Sequence, residues 1–280
     1  MKIAISAEST NDLTPRLLTK YDIKTIPFGI VLGDKTFKDG EVTTKELFDY
    51  VDQNGVLPKT NAINEFEYTE YFENLLKTYD AVVHISLSSS LSSSCSNAER
   101  ASKNVKNVYV VDSLSLSTGI GLLAIYGREL ADQGFSAEEI AKKITERREK
   151  VQVSFVIERL DYLYKGGRCN ALSLLGANLL KIRPRIVVKN GKMGSDKKYR
   201  GAMDKVVAKY CSETLSEYDK PDLDKVFLTY TTATPEMVAA ARSALAEMGF
   251  KNIYEAHAGC TIASHCGGNT LGILYFNDAE

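Results

Sequence analysis

Seven of the nine residues from 86 to 94 are serine, interrupted only by Leu87 and Leu91. Hydroxyls at this density supply O–H donors without charge, which is chemistry for holding an anionic oxygen rather than a metal. The residues before them, 81–86 (AVVHIS), are mostly apolar and β-branched and read as a buried strand. From about residue 95 to 103 the pattern turns helical. A strand that ends in a hydroxyl-rich turn and feeds a helix directs O–H groups and the free N–H groups of the first helical turn to one point. The plain alternative is a solvated serine-rich linker, and the flanking strand and helix argue against it.

Two further polar groups stand beside glycines, where a backbone can approach a ligand closely. Arg168 follows Gly166 and Gly167, and a loop arginine suits a carboxylate or a phosphate. A structural salt bridge is the competing role for it. His265 precedes Cys266, Gly267 and Gly268 in a stretch, 258–270, that reads as a glycine-rich loop. Ser92, His265 and an aspartate could compose a triad, which would make the chain a Ser/His hydrolase acting on a small acyl substrate. No GxSxG elbow accompanies them, and neither GxxxxGK[ST] nor a strand-linked GxGxxG is present. His84 lies inside an apolar strand and reads as a core histidine; His257 ends a strand and has no evident role.

The elements that must position these groups follow from patterning. Residues 2–7 form a strand, Thr14-Pro15 opens a short helix, and residues 23–32 are extended, with a turn at Gly33-Asp34. Thr43 with Glu46 and Ser136 with Glu139 are capping boxes. A loop over 57–64 leads into an amphipathic helix, 65–79. Strand and helix alternate through residues 1–155, which predicts an α/β domain with a mostly parallel sheet covered on both faces. Residues 156–280 read as an α+β domain with an antiparallel or mixed sheet. There Asn190-Gly191 signals a type I′ hairpin, and residues 170–180 (NALSLLGANLL) are apolar around most of a helix circumference.

Composition narrows the function classes. The chain has 280 residues, 44% hydrophobic and 25% charged, with a net charge of −1. That size accommodates two domains, and that charge gives no reason to expect nucleic acid or an anionic membrane as a partner. No apolar run reaches a membrane span, and the opening MKIAIS lacks the layout of a signal peptide. Five scattered cysteines without a CxxC pair read as reduced thiols of a cytoplasmic protein, not a disulfide or zinc framework.

Taken in order, these segments resemble the DegV family of bacterial fatty-acid-binding proteins, over essentially the whole chain. Residues 5–13 (ISAESTNDL) are similar to the family's I-x-T-D-S-T-x-D-L, and Lys38-Asp39-Gly40 to its Y-x-D-G. Thr60-Asn61 stands where the family has T-S-Q-P-S. Residues 87–98 (LSSSLSSSCSNA) match I-S-S-x-L-S-G-T-Y-x-S-A, and residues 110–121 (VVDSLSLSTGIG) match V-x-D-S-x-x-x-S-x-G-x-G. Residues 160–168 (LDYLYKGGR) resemble L-x-Y-L-x-K-G-G-R, the most specific of the set, and residues 264–272 (SHCGGNTLG) resemble T-H-T-G-P-G-A-L-G. The departures are the loss of S-Q-P-S after Thr60, Ser93 in place of a glycine, and Asn269 in place of a glycine.

The resemblance implies a two-domain carrier, not an enzyme and without a cofactor, that holds a long-chain fatty acid in a tunnel between its domains. It assigns the carboxylate to hydroxyls at Thr60 and Ser92, with Asn61 able to donate beside them and Arg168, His265 and Asn269 nearby. It also implies a partner, a fatty acid kinase to which the carboxyl group is presented, and leaves room for transient membrane contact. Lys165, Lys197, Lys198 and Arg200 are candidates for a cationic rim facing that kinase. A purely structural module is the third class of reading, and it would leave the glycine-flanked Arg168 and His265 without a purpose.

Overall fold

A buried carboxylate and a buried histidine sit at the centre of the first half. The computed structural model describes residues 1–169 and 182–279. Strand β1 (Ile3–Glu8) is buried throughout and leads through a short turn into α1 (Pro15–Lys20), which Thr14 caps by accepting from the Leu17 N–H. Strand β2 (Ile23–Ile26) follows, then a hairpin of β3 (Gly29–Leu32) and β4 (Lys35–Lys38) that turns through Gly33 at φ 61°. Helix α2 (Thr44–Asn54) carries the expected capping box and stops at a left-handed Gly55. Strand β5 (Lys59–Asn61) lies within what the sequence pattern presents as a loop. Helix α3 (Glu65–Leu76) opens on a further capping box, Asn64 with Glu67. Then come β6 (Ala81–Ser86), α4 (Ser94–Asn104), β7 (Val108–Asp112), α5 (Thr118–Asp132) and α6 (Ala137–Arg147).

Strands pair in the order β2-β1-β6-β7, all parallel. Alternation along β1 shows how both faces are covered. Ser6 points to α3, where its hydroxyl meets Tyr71, and Ile5 points the other way, toward Gly127 and Ile144 of α5 and α6. Strands β4-β3-β5 form a separate antiparallel sheet. The β3–β4 hairpin falls where the pattern places an extended run turned at Gly33-Asp34, whereas β5 is too brief and polar to announce itself and its register against β3 is a tertiary result.

The second half opens with β8 (Val151–Val156) and α7 (Leu160–Lys165). The apolar stretch 170–180 lies outside the described residues. Strands β9 (Arg183–Lys189) and β10 (Lys192–Tyr199) make the expected hairpin, with Asn190 and Gly191 both at positive φ. Helix α8 (Met203–Glu217), β11 (Pro221–Tyr230), α9 (Pro235–Met248), β12 (Asn252–His257), α10 (Cys260–Cys266) and β13 (Leu271–Asn277) complete the chain. The sheet runs β10-β9-β8-β13-β11-β12, antiparallel except for β11 beside β12. Strand β8, in which the expected boundary at residue 155 falls, pairs along its length with β13 and so belongs to this sheet.

One face of the six-stranded sheet packs on α8 and α9 through residues such as Val206, Tyr210 and Leu245. The opposite face, through Val153, Phe155 and Leu274, joins the core of the first half. Helix α5 lies in that seam, buried from Thr118 through Ile125. An apolar circumference is what such a position requires. Gly119 and Gly121 make the fit: a Cβ on Gly121 would stand 2.7 Å from Leu13 Cδ2, and one on Gly119 would meet the Ser115 hydroxyl and Val153.

The buried carboxylate belongs to Glu8. It accepts from the Ser86 hydroxyl at 2.5 Å, the Tyr68 hydroxyl at 2.8 Å and the Leu87 N–H at 2.9 Å, with His84 Nε2 at 3.6 Å. Burial alone would raise its pKa; His84, Ser86 and Tyr68 outweigh that and hold the carboxyl below its usual range. Replacing one carboxylate oxygen by an amide NH2 leaves at least one of the three buried donors without its acceptor. Glu8→Gln is therefore expected to cost about 3 kcal/mol in urea denaturation at pH 7. A group held low contributes stability above its unfolded pKa and loses it as pH falls through the folded value. Between pH 6 and pH 3 the wild type should accordingly lose more stability than the variant, and parallel losses would refute the assignment.

Candidate functional site

The seam between the two halves opens at one end into a cleft of about 600 Å³, its mouth included, lined by Thr60, Ser92, Ser93, Arg168 and His265. These side chains arrive on four separate supports, Ser92 and Ser93 sharing one turn. Thr60 sits at the middle of β5, held in register opposite the buried Ile30 of β3. His265 lies in the last turn of α10, which corrects the reading of 258–270 as a loop; the helix is only seven residues long and ends where the glycines begin. The Thr60 hydroxyl and His265 Nε2 are 3.0 Å apart across 205 residues of sequence. Ser92 lies in the turn between β6 and α4, where its Oγ accepts the Ser94 N–H at 3.1 Å. Arg168, just beyond α7, donates from Nη1 to the Gly166 carbonyl at 2.6 Å and from Nε to the Leu91 carbonyl at 3.4 Å.

His265 is partly buried and its Nδ1 has no hydrogen-bond partner among the described residues. Burial, and then the charge of Arg168, push its pKa down to about 4, so the imidazole is neutral at physiological pH. A neutral ring at 3.0 Å from Thr60 can act as donor or acceptor toward that hydroxyl. The Ser92 hydroxyl, already accepting one N–H, keeps its own proton to donate. The mouth is thus a place for an acceptor group, with Arg168 beside it.

Below the mouth the cleft becomes apolar at Phe28, Leu87, Leu91 and Met193. Leu116, Ile262 and Cys266 line both this cleft and a second, smaller chamber beside Val153, Phe155 and Leu274. Besides Tyr230, whose hydroxyl lies 3.4 Å from His257 Nε2, four of the second chamber's lining residues carry hydroxyls, and all four are committed inside the protein. Thr229 pairs with Thr118 at 2.6 Å, Thr231 donates to the Gly267 carbonyl at 2.6 Å, Thr270 to the Cys266 carbonyl at 2.9 Å, and Ser117 to Asp12. Their carbon atoms form the wall. Cys266 remains a neutral thiol, since burial pushes its pKa up to about 12.

Two expected site residues lie elsewhere. Asn61 follows Thr60 on a strand, so it points to the opposite face, where it lines a separate surface hollow beside Gly29 and Glu67. Asn269 donates to Glu158 at 2.6 Å through its side chain and to the Thr232 hydroxyl at 2.8 Å through its backbone, away from the cleft. Its φ of 53° explains how it stands in for glycine, since asparagine tolerates the left-handed region. Ser93 has φ −74° and needs no glycine freedom.

The serine segment also differs from the expectation that several hydroxyls converge on one point. Ser86 donates to Glu8, Ser88 to the Gly191 carbonyl, Ser89 to Asp112, and Ser94 pairs with Tyr68. Ser90 is exposed, and Ser92 and Ser93 remain at the cleft. Lys165 flanks the neighbouring surface groove that also contains Arg168 and His265, whereas Lys197 is engaged by Glu213 and Glu217. His84 is a core histidine, 2.9 Å from the Ser6 hydroxyl, and His257 packs edge-on to the Tyr230 ring. The five cysteines are buried, and among the described residues no cluster of His, Cys, Asp or Glu could hold a metal ion. No helix among them is long and apolar enough to cross a membrane. The cleft's apolar wall residues Phe28, Met193 and Ile262 carried no signal in the sequence; they are scattered through both halves and look like any core residue.

Comparison with known proteins agrees with this architecture. The fatty acid-binding protein of Thermotoga maritima is 32% identical over 97% of this chain and 96% of its own length. The crystal structure of DegV, a fatty acid binding protein from Bacillus subtilis, superposes with a TM-score of 0.87 at 26% identity, covering 99% of this chain and 100% of that one. A DegV family protein from Thermus thermophilus shares the fold with a TM-score of 0.91 at 24% identity, over 99% of this chain and 100% of that one. The DegV family model matches residues 2–278, and with a wall of both halves enclosing a two-chambered seam, the chain belongs to the DegV family.

Proposed function

We propose that the protein binds a long-chain fatty acid in the seam, its carboxylate at Thr60 and Ser92, and presents that carboxylate to a fatty acid kinase. The observation that carries this reading is one cleft that joins the hydroxyls of Thr60 and Ser92 and the Arg168 guanidinium to apolar side chains, three of whose wall residues also line an apolar second chamber. The fatty-acid-binding relatives support the ligand class. Burying about 14 methylenes is worth roughly 11 kcal/mol at about 0.8 kcal/mol each. Association and ordering offset about 4 kcal/mol or more, which leaves sub-micromolar affinity within reach. The carboxylate must stay hydrogen-bonded, because stripping it of water without partners would cancel that gain. With the imidazole neutral, His265 Nε2–H donates to Thr60 Oγ and leaves the Thr60 proton for the ligand. Arg168 lies at the rim, where its charge favours a carboxylate that is gaining a phosphoryl group. In this reading the protein is a cytoplasmic carrier and the kinase supplies the catalysis.

The hydrolase reading is disfavoured by geometry. Thr60, not Ser92, is the hydroxyl bonded to His265 Nε2, and no carboxylate orients Nδ1.

Mass spectrometry of the protein purified from an expression host should find it loaded with a long-chain fatty acid. Delipidated protein titrated with acids of graded length should prefer long chains. An empty protein indifferent to chain length would remove the carrier function.

Each hydroxyl donates one hydrogen bond to a charged group, worth about 1.5–3 kcal/mol. Thr60→Val and Ser92→Ala should each weaken palmitate binding roughly ten- to a hundredfold. Arg168→Ala should reduce phosphoryl transfer by the kinase more than it reduces binding, and wild-type values for both would exclude the assigned role.

A further inference from the structure

Four residues of the cavity wall, Thr261, Ile262, His265 and Cys266, ride on α10. The helix cannot cap itself: its N-cap residue is Gly259, which has no side chain to accept the first N–H groups. The cap comes from the other half of the chain. Asp39, in the turn after β4, accepts the Cys260 N–H at 3.0 Å, the Thr261 N–H at 3.3 Å and the Thr261 hydroxyl at 2.6 Å. Ser9, just beyond β1, donates to the same carboxylate at 3.0 Å. Asp12 accepts the Gly259 N–H at 2.8 Å and also receives the Ser117 hydroxyl from the segment that leads into α5.

Two features show that this arrangement is demanding. Asp12 and Ser117 both have φ of 51°, a left-handed conformation that non-glycine residues adopt at a cost. A Cβ on Gly259 would lie 3.2 Å from Asp12 Oδ1 and 3.4 Å from the Asp39 carboxylate, so the glycine makes room for both acids. Neither acid lines the cleft or the second chamber.

We propose that Asp39, with Asp12 beside it, is a positioning residue that fixes α10 against the first half and so sets His265 at hydrogen-bonding distance from Thr60. The inference rests on the proposed fatty-acid site for its consequence, and on the hydrogen bonds alone for its geometry. A short helix whose first turn is held from outside has its last turn placed by that hold, since no capping group of its own competes. Asp39 and Thr60 stand on neighbouring parts of one unit: Asp39 follows β4, and β4 and β5 flank β3 in one small sheet. Holding α10 to Asp39 therefore also holds His265 to the sheet that carries Thr60.

The test is Asp39→Asn, which keeps the shape but replaces an acceptor oxygen by a donor facing N–H groups. In the ligand-free protein, nitrogen-15 NMR of the His265 ring should report a changed Nε2 environment and loss of the Thr60 contact. Ser9→Ala, which removes one donor to Asp39, should shift the same signals less and serves if Asp39→Asn does not fold. With palmitate, Asp39→Asn should weaken binding about tenfold or more. Combined with Thr60→Val it should add little, because both changes break the same contact. His265 signals that match wild type in both variants, or affinity losses that simply add, would overturn the proposal. If the wild type bound no palmitate while the ring signals still responded to Asp39→Asn, the positioning role would stand and the fatty-acid reading would fall.

Discussion

The hydrogen bond between Thr60 and His265 joins the two halves of the chain at the point where they part to form a cavity. Everything at the mouth depends on it. Thr60 is carried by a three-residue strand whose place comes from pairing with β3, and His265 by a seven-residue helix at the far end of the sequence. Neither element is long enough to be stable alone, so each is positioned by what it packs against. A neutral imidazole is what such a site can tolerate: burial and Arg168 both oppose a second positive charge there.

Beneath the mouth the constraint is different. A cavity between two sheets is lined by whatever side chains the facing chain presents, and β11 with the residues after it and before β13 presents Thr229, Thr231 and Thr270. An exposed hydroxyl in a dry chamber would be an unpaired polar group, so each is bonded to a neighbour within the wall. The result is an apolar surface made partly of polar residues. Composition would not lead one to expect it.

Surplus hydroxyls in the segment 86–94 find a similar use. The structure spends Ser86, Ser88, Ser89 and Ser94 on Glu8, on the β9–β10 turn, on Asp112 and on Tyr68. These bonds fix a turn that would otherwise be mobile, and they include a contact with each half of the chain. Ser92 is presented at the cleft because its neighbours are occupied.

Local signals decided much of this protein before any tertiary contact was considered. Capping at Thr43 and Ser136, the Asn190-Gly191 turn and the strand–helix alternation of the first half all act within a few residues, and all appear where the pattern places them. Ordered motifs pointed likewise to Thr60, Ser92, Arg168 and His265, which the fold brings to one cleft. Tertiary structure decided the rest. It gave β5 its partner and so turned Asn61 away from Thr60, made α10 a helix by capping it from Asp39, and directed Asn269 to Glu158. It also selected Phe28, Leu116, Met193 and Ile262 as cavity wall from among many equivalent core residues. Such outcomes depend on groups far apart in the chain, as Asp39 is from Cys260, and a sequence window holds no record of which distant surfaces will meet.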